Sequence, residues 1–180
     1  KKGFQTRNEA TWTLVRRAVD ARVPDCEFVV HTGDKTNHWT SAQFCFCRIA
    51  GDRVLRFPCF SFAGWPEVDL LPWAQQRRRM ASTRPWAKRK DTLLFRGNLK
   101  TNPLRARLRA CGDVSGAFLP LVQHDRARYL LNIPGRSWAA RFKYLLLTGS
   151  TVVHVHAAPD YREFWHEALV PGRHYVAVTP

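Results

Sequence analysis

The stretch Arg128-Tyr-Leu-Leu-Asn-Ile-Pro-Gly-Arg-Ser-Trp-Ala-Ala-Arg-Phe-Lys-Tyr-Leu-Leu-Leu-Thr-Gly-Ser150, running straight into Thr151-Val-Val-His-Val-His156, decides the fold class. Arg128 to Ile133 is a short apolar run closed by Pro134-Gly135, the pattern of a buried strand. Ser137 to Leu147 places Trp138, Phe142, Leu145 and Leu146 on one face of a predicted helix, and Gly149 supplies its stop. Thr151 to His156 reads as the next strand. Strand, glycine turn, helix, glycine, strand is the unit from which layered α/β folds with a mostly parallel sheet are built.

Working outward, the same alternation recurs. Thr92 to Phe95 predicts a strand and Gly97-Asn98 a turn. Asn102 caps a helix with Pro103 at its first position and Gly112 past its end. Ala117 to Val122 and His174 to Val178 read as further strands, with a short helix over 160–165. In the first half, residues 9–22 carry Trp12, Val15 and Val19 on one helical face, with Asn8 as the candidate cap. Glu27 to His31 and Phe44 to Ile49 are strand-like, Arg53 to Phe62 is extended, and a helix is predicted from residue 73 to about Ser82. The expected organisation is two α/β halves, 1–80 and 81–180.

Composition narrows the function classes. The chain has 180 residues, 45% of them apolar, so it is globular rather than disordered. No run approaches the roughly 18 apolar residues of a membrane span, so no direct membrane insertion is expected. Lys and Arg exceed Asp and Glu by 15 charges, and 22 of the 29 cations are Arg. Such an excess suits nucleic acid or a diphosphate-bearing small ligand. Finger-type Cys/His spacing, RNA-binding strand signatures and basic-region heptads are all missing, so nucleic acid is not the expected partner. The five cysteines form no C-x-x-C pair, and burial as small apolar side chains is their expected role.

Ligands of open α/β sheets collect at the carboxyl ends of the strands, and three such places carry chemistry. Phe95-Arg96-Gly97-Asn98, leading to the helix that Asn102 caps, offers free backbone N–H groups, with Arg105 one turn on. Gly135-Arg136-Ser137 with Arg141 repeats the arrangement. Gly33-Asp34, after the Glu27–His31 strand, places a carboxylate where it can act as general base. His154 and His156 share one face of their strand; a satisfied core histidine is the default there and a metal pair the alternative. Glu163 is a candidate ribose ligand or a solvent-facing acid. No D-x-D exists to hold a metal-bridged diphosphate.

The run from Tyr129 to Ser150 resembles the signature of glycosyltransferase family 90, which includes capsule-associated transferases and protein O-glucosyltransferases. The likeness continues through Tyr161-Arg-Glu-Phe-Trp and Leu169-Val-Pro-Gly-Arg-His-Tyr-Val. Upstream, Pro24-Asp-Cys-Glu-Phe-Val-Val, Phe60-Ser-Phe, Pro85-Trp-Ala-Lys and Leu94-Phe-Arg-Gly keep the family's order, so it covers residues from about 24 to 180.

The resemblance implies a GT-B-like fold, two Rossmann-like halves facing a cleft. It implies an inverting transfer of glucose or xylose from a UDP-sugar to an acceptor hydroxyl on a protein or glycan. No metal or other cofactor is expected, and the compartment implied is the lumen of the endoplasmic reticulum or Golgi. By position, Asp34 matches the general base. Arg96, Gly97, Asn98, Arg105, Ser137, Arg141 and Glu163 match the UDP-sugar contacts. Asn98 departs from the Ser common in the family. Asp125 and Thr148 stand where some relatives carry a cysteine pair, so that disulfide is not expected. The family usually continues with helices after the last strand, and the chain opens on Lys1 without an initiator Met, so the 180 residues read as part of a catalytic domain. A sugar-nucleotide or glycan-binding relative without turnover is the alternative, and Asp34 argues against it.

Overall fold

The computed structural model describes residues 5–19, 23–34, 43–81 and 84–180. Among these, eight strands form two wholly parallel sheets. The smaller contains β1 (Val29–His31), β2 (Gln43–Cys45) and β3 (Leu55–Arg56), in that order. The larger is built from β4 (Lys90–Arg96), β5 (Asp113–Ser115), β6 (Ala127–Asn132), β7 (Thr151–Val155) and β8 (Val176–Val178), ordered β5-β4-β6-β7-β8. The chain leaves β4 toward β5 on one side and returns to β6 on the other. The carboxyl ends of β4 and β6 therefore flank a topological switch point, where open α/β sheets place their ligands.

Both faces of the larger sheet are covered, so consecutive residues of its central strands are apolar, Leu130-Leu131 in β6 and Val152-Val153 in β7. Leu94, Leu130 and Val152 pack with Phe142, Leu145 and Tyr175 on one face. Their neighbours Phe95, Leu131 and Ile133 pack with Val114 and Val155 on the other. Where β5 begins, a Cβ on Gly112 would lie 2.5 Å from the Leu93 carbonyl oxygen, so only glycine lets the two backbones approach.

The four α-helices are short apart from the first: α1 (Gln5–Ala18), α2 (Trp73–Arg79), α3 (Pro103–Arg107) and α4 (Phe142–Leu145). The Asn102 cap is present, its side chain accepting from Leu104 N at 3.0 Å with Pro103 opening the helix. Helix α1 starts earlier than its periodicity suggests, so Asn8 lies inside it rather than capping it. It turns Val15 and Thr11 inward and leaves Trp12 58% exposed. Residues 20–22, the end of the predicted helix, lie outside the described residues, as does Ser82.

Three sequence expectations fail around the larger sheet. The strand after α3 is Asp113–Ser115, not Ala117–Val122; Pro120 instead leads into a 3-10 turn over Leu121–Arg126. The helix expected over Ser137–Leu147 shrinks to Phe142–Leu145. Residues 134–138 fold back as a turn in which Gly135 N donates to Trp138 O at 3.4 Å, and Asn102 Nδ2 donates to Gly135 O at 3.1 Å. These tertiary bonds outweigh the helix propensity of Trp-Ala-Ala-Arg. The predicted 160–165 helix is likewise displaced, to a 3-10 turn over Phe164–Ala168.

The segment around the smaller sheet packs against α4 of the larger half. Tyr144 OH donates to Ser61 O at 2.6 Å, and Phe46 and Trp138 rings lie 5.9 Å apart. No helix of the described residues is long and apolar enough to cross a membrane.

Candidate active site

A cavity of about 560 Å³ opens at the switch point. Its walls come from the turn after β4, the turn after β6, and the N-terminal segment carrying Arg7, Asp34, Phe60 and Trp65. The size suits a nucleotide-scale ligand. Among the described lining residues, Asp34 is the single carboxylate against five arginines. A cavity of that balance attracts an anion and sets one carboxylate beside it.

Arg141 sits where the sequence places it, but as a side chain before α4 rather than on a helical first turn. Its Nη1 donates to the Arg96 carbonyl oxygen, and its guanidinium carbon lies 4.0 Å from the centroid of the Phe95 ring. A Cβ on Gly97 would come within 3.0 Å of that Nη1, so the glycine makes room for the cation. Nε and Nη2 are buried without hydrogen-bond partners. Burial, and secondarily Arg105, pushes its pKa down to about 9. That shift expresses the cost of burying an unneutralised cation.

Arg105 is also buried, with burial lowering its pKa to about 10, yet its role differs. Its donors reach Pro134 O (3.1 Å), Ile133 O (3.0 Å), Asn98 O (2.9 Å) and Thr101 Oγ1 (2.7 Å). It ties the two turns together and has little left for a phosphate. Arg96 turns its guanidinium to Asp113, Nη2 to Oδ2 at 2.6 Å, which holds that carboxyl below its usual range. Asn98 spends its Oδ1 on Lys100 N at 2.9 Å. Arg96, Gly97, Asn98 and Arg105 all line the cavity, so the expected contacts with ligand fall to main chain and shape more than to these side chains.

Ser137 lines the cavity from a buried position beside Cys47. Asp34 lines it too, half-exposed, with Oδ1 3.3 Å from Arg7 Nη1. Arg7 projects from α1 onto the rings of Phe60 and Trp65, 4.5 Å from each centroid, and so arrives at Asp34 on a rigid aromatic seat. Glu163 does not fit its expected place. It is fully buried away from the cavity, 3.6 Å from Lys143 Nζ, and that lysine also holds Ser61 Oγ at 2.8 Å.

One expectation changes with this geometry. The cradles were to be helix N-termini, but α4 begins only after Arg141 and the first amides of α3 are partly capped by Asn102. The positive field therefore comes mainly from buried guanidinium groups. One residue was missed. His124 is buried in the cavity wall, its Nδ1 3.2 Å from Pro120 O and its Nε2 without a partner. Burial first, then Arg141 and other cations, lowers its pKa to about 4, so the ring is neutral at pH 7. It lies in a 3-10 turn with no motif to mark it.

Comparison with known proteins places the chain in a family. Residues 1–119 and 117–180 match Glycosyl transferase family 90. Protein O-glucosyltransferase 1 of Homo sapiens is 28% identical over 200 residues, covering 89% of this chain and 50% of the relative. The Mus musculus protein of the same name is 28% identical over 197 residues, covering 87% and 50%. O-glucosyltransferase rumi of Drosophila melanogaster is 25% identical over 201 residues, covering 87% and 47%. The chain spans about half the length of these curated relatives. With the family profile matched along its whole length and the signature turn lining the cavity, the chain belongs to glycosyltransferase family 90.

Proposed function

We propose that this chain forms the donor side and part of the acceptor side of a protein O-glycosyltransferase that uses a UDP-sugar and inverts the anomeric centre. The observation that carries the reading is Arg141, a buried guanidinium in the cavity with two donor nitrogens left unpartnered. A diphosphate supplies the missing acceptors and the missing negative charge. The relatives' names add the sugar and the acceptor class: glucose, onto protein. UDP-xylose is the second donor to try.

The chemistry follows from charge placement. The acceptor hydroxyl oxygen attacks the anomeric carbon from the face opposite the diphosphate, and its proton passes to Asp34. The bond from the anomeric carbon to the diphosphate oxygen breaks, and UDP leaves with an added negative charge. Arg141 meets that charge at a site already desolvated, where it is worth more than in water. Arg7 keeps Asp34 in place beside the aromatic seat. Arg105 fixes both turns so that Arg141 and the Gly97 main chain need not reorganise during the step. Cations replace the metal that other diphosphate sites use, so the reaction is expected to run in a chelator.

In this reading the two parallel sheets belong to GT-B halves of 1–80 and 81–180, with the cavity as their cleft. The setting is the lumen of the secretory pathway. The test is sugar transfer from UDP-glucose to a folded protein acceptor in EDTA, with Asp34→Asn alongside. Transfer by the parent and none by the variant, at equal UDP affinity, supports the assignment. Full activity in Asp34→Asn removes Asp34 as the base.

A further inference from the structure

His154 on β7 and His156, the first residue after it, have a third neighbour that the sequence did not connect to them. After the strand, the chain turns through Ala157–Pro159 and brings Asp160 back against His156, with Oδ2 3.6 Å from Nδ1. One donor atom from each of His154, His156 and Asp160 lies within 4.8 Å of the others. We propose that these three side chains form a site for a divalent first-row transition-metal ion such as Zn²⁺, separate from the sugar-transfer cavity.

The donor set argues for that class of ion. Two imidazoles and one carboxylate suit zinc, nickel or cobalt, whereas magnesium and calcium prefer oxygen alone. Each imidazole is also already oriented by its other nitrogen, as metal-binding histidines are. His154 Nδ1 lies 2.8 Å from Asn132 Nδ2, and the Asn132 Oδ1 is buried with no partner. Turned over, the same amide accepts from Nδ1–H and leaves the lone pair on Nε2. His156 Nε2 lies 3.2 Å from Tyr175 OH, which leaves Nδ1 on the side of Asp160. His154 stacks on Phe142 with ring centroids 4.4 Å apart and planes 11° apart, so its ring direction is fixed by packing.

Space agrees for two of the three side chains. His154 and Asp160 line a small enclosed cavity of about 10 Å³, room for one water or one ion. His166 lines it too, its Nε2 buried, without a hydrogen-bond partner and 3.8 Å from Glu163 Oε2. Arg162 holds Asp160 through Oδ2 at 2.8 Å, but a carboxylate has a second oxygen for a metal. Metal–ligand bonds of about 2 Å require the three side chains to draw together by roughly an ångström. That closure would pin the turn after β7 to the sheet, a structural role that leaves sugar transfer independent of the ion.

The experiment titrates the chelator-stripped 180-residue chain with Co²⁺ and reads visible absorption, then repeats it with Zn²⁺ by calorimetry and thermal melting. One equivalent binding in the micromolar range, with no sulfur-to-cobalt band, is expected, together with a higher Tm in Zn²⁺. His156→Ala and Asp160→Asn, both at partly exposed positions, should each weaken binding at least tenfold. His156→Asn serves if the alanine variant melts early. UDP affinity should be the same with and without the ion. No binding at millimolar Co²⁺, binding unchanged in the variants, or a thiolate band from Cys26 or Cys111 would each overturn the proposal.

Discussion

Arg141 lies over Phe95, its guanidinium carbon 4.0 Å from the ring centroid, and among the described residues no carboxylate pairs with it there. Arg105 approaches the same ring at 5.3 Å. The two cations share an aromatic surface at the end of β4 but differ in their remaining partners. Arg105 is engaged by four acceptors, whereas two nitrogens of Arg141 have none. One guanidinium holds the site's shape and the other holds unused binding capacity. That division separates their expected mutational signatures.

Arg141→Ala is expected to weaken UDP binding by about 2–3 kcal/mol, the range of a charge-assisted contact. Folding stability should hold or rise, because the variant removes a buried cation that nothing neutralises in the free protein. Calorimetry with UDP, beside a urea melt, reads both. Unchanged UDP affinity would take Arg141 out of the donor site.

Arg105→Ala should show the reverse order of effects. Losing the ties to Pro134, Ile133 and Asn98 leaves buried carbonyls unpaired, at a cost of roughly 2–4 kcal/mol in folding free energy. Arg105→Lys should recover little, since one ammonium cannot reproduce the forked geometry. A urea midpoint equal to the parent's would show that the turns stand without the clamp.

These contrasts mark what the sequence could and could not disclose. Arg141 and Arg105 both line the cavity, in keeping with glycine turns at strand ends as places where guanidinium groups gather. Which of them is free was not legible, since it depends on Asn98, Ile133 and Pro134 carbonyls brought together by the parallel pairing of β4 and β6. The helix over Ser137–Leu147 was overestimated because its periodicity is real on the Phe142–Leu145 face, while Asn102 and Gly135 bend the start into a turn. Strand β5 was misplaced because three residues beside Gly112 carry no apolar run, and the more apolar Ala117–Leu119 segment lines the cavity instead. Asp34 was legible as a carboxylate at a strand end. Its aromatic-seated partner Arg7 was not, because they are 27 positions apart and on different elements.

Lys143 and Glu163 form a buried ion pair, 3% and 0% exposed. Glu163→Gln alone is expected to destabilise the fold by about 3–5 kcal/mol, since it leaves the lysine charge buried and unbalanced. Lys143→Met with Glu163→Leu should recover much of that loss. UDP affinity should stay within twofold in the glutamine variant, because Glu163 lies away from the cavity. A tenfold loss of UDP binding in a well-folded Glu163→Gln protein would restore its ribose role.

His124 gives the pH prediction. Its pKa falls from the ordinary 6.5 to about 4 because the ring is buried and faces Arg141, Arg126 and Arg96, with Pro120 O opposing weakly. The folded state therefore binds fewer protons than the unfolded state between those values. The stability associated with the neutral ring is complete above pH 6.5 and is lost as the pH falls toward 4, to a total of about 3 kcal/mol. His124→Gln cannot titrate, so its melting temperature should fall less steeply across that window. A bound diphosphate offsets the arginine charges and raises the ring's pKa, so UDP binding near pH 5 should take up protons. Calorimetry in two buffers of different ionisation enthalpy measures that uptake. Acid slopes that coincide for parent and variant would mean that His124 does not share the field of Arg141, Arg126 and Arg96.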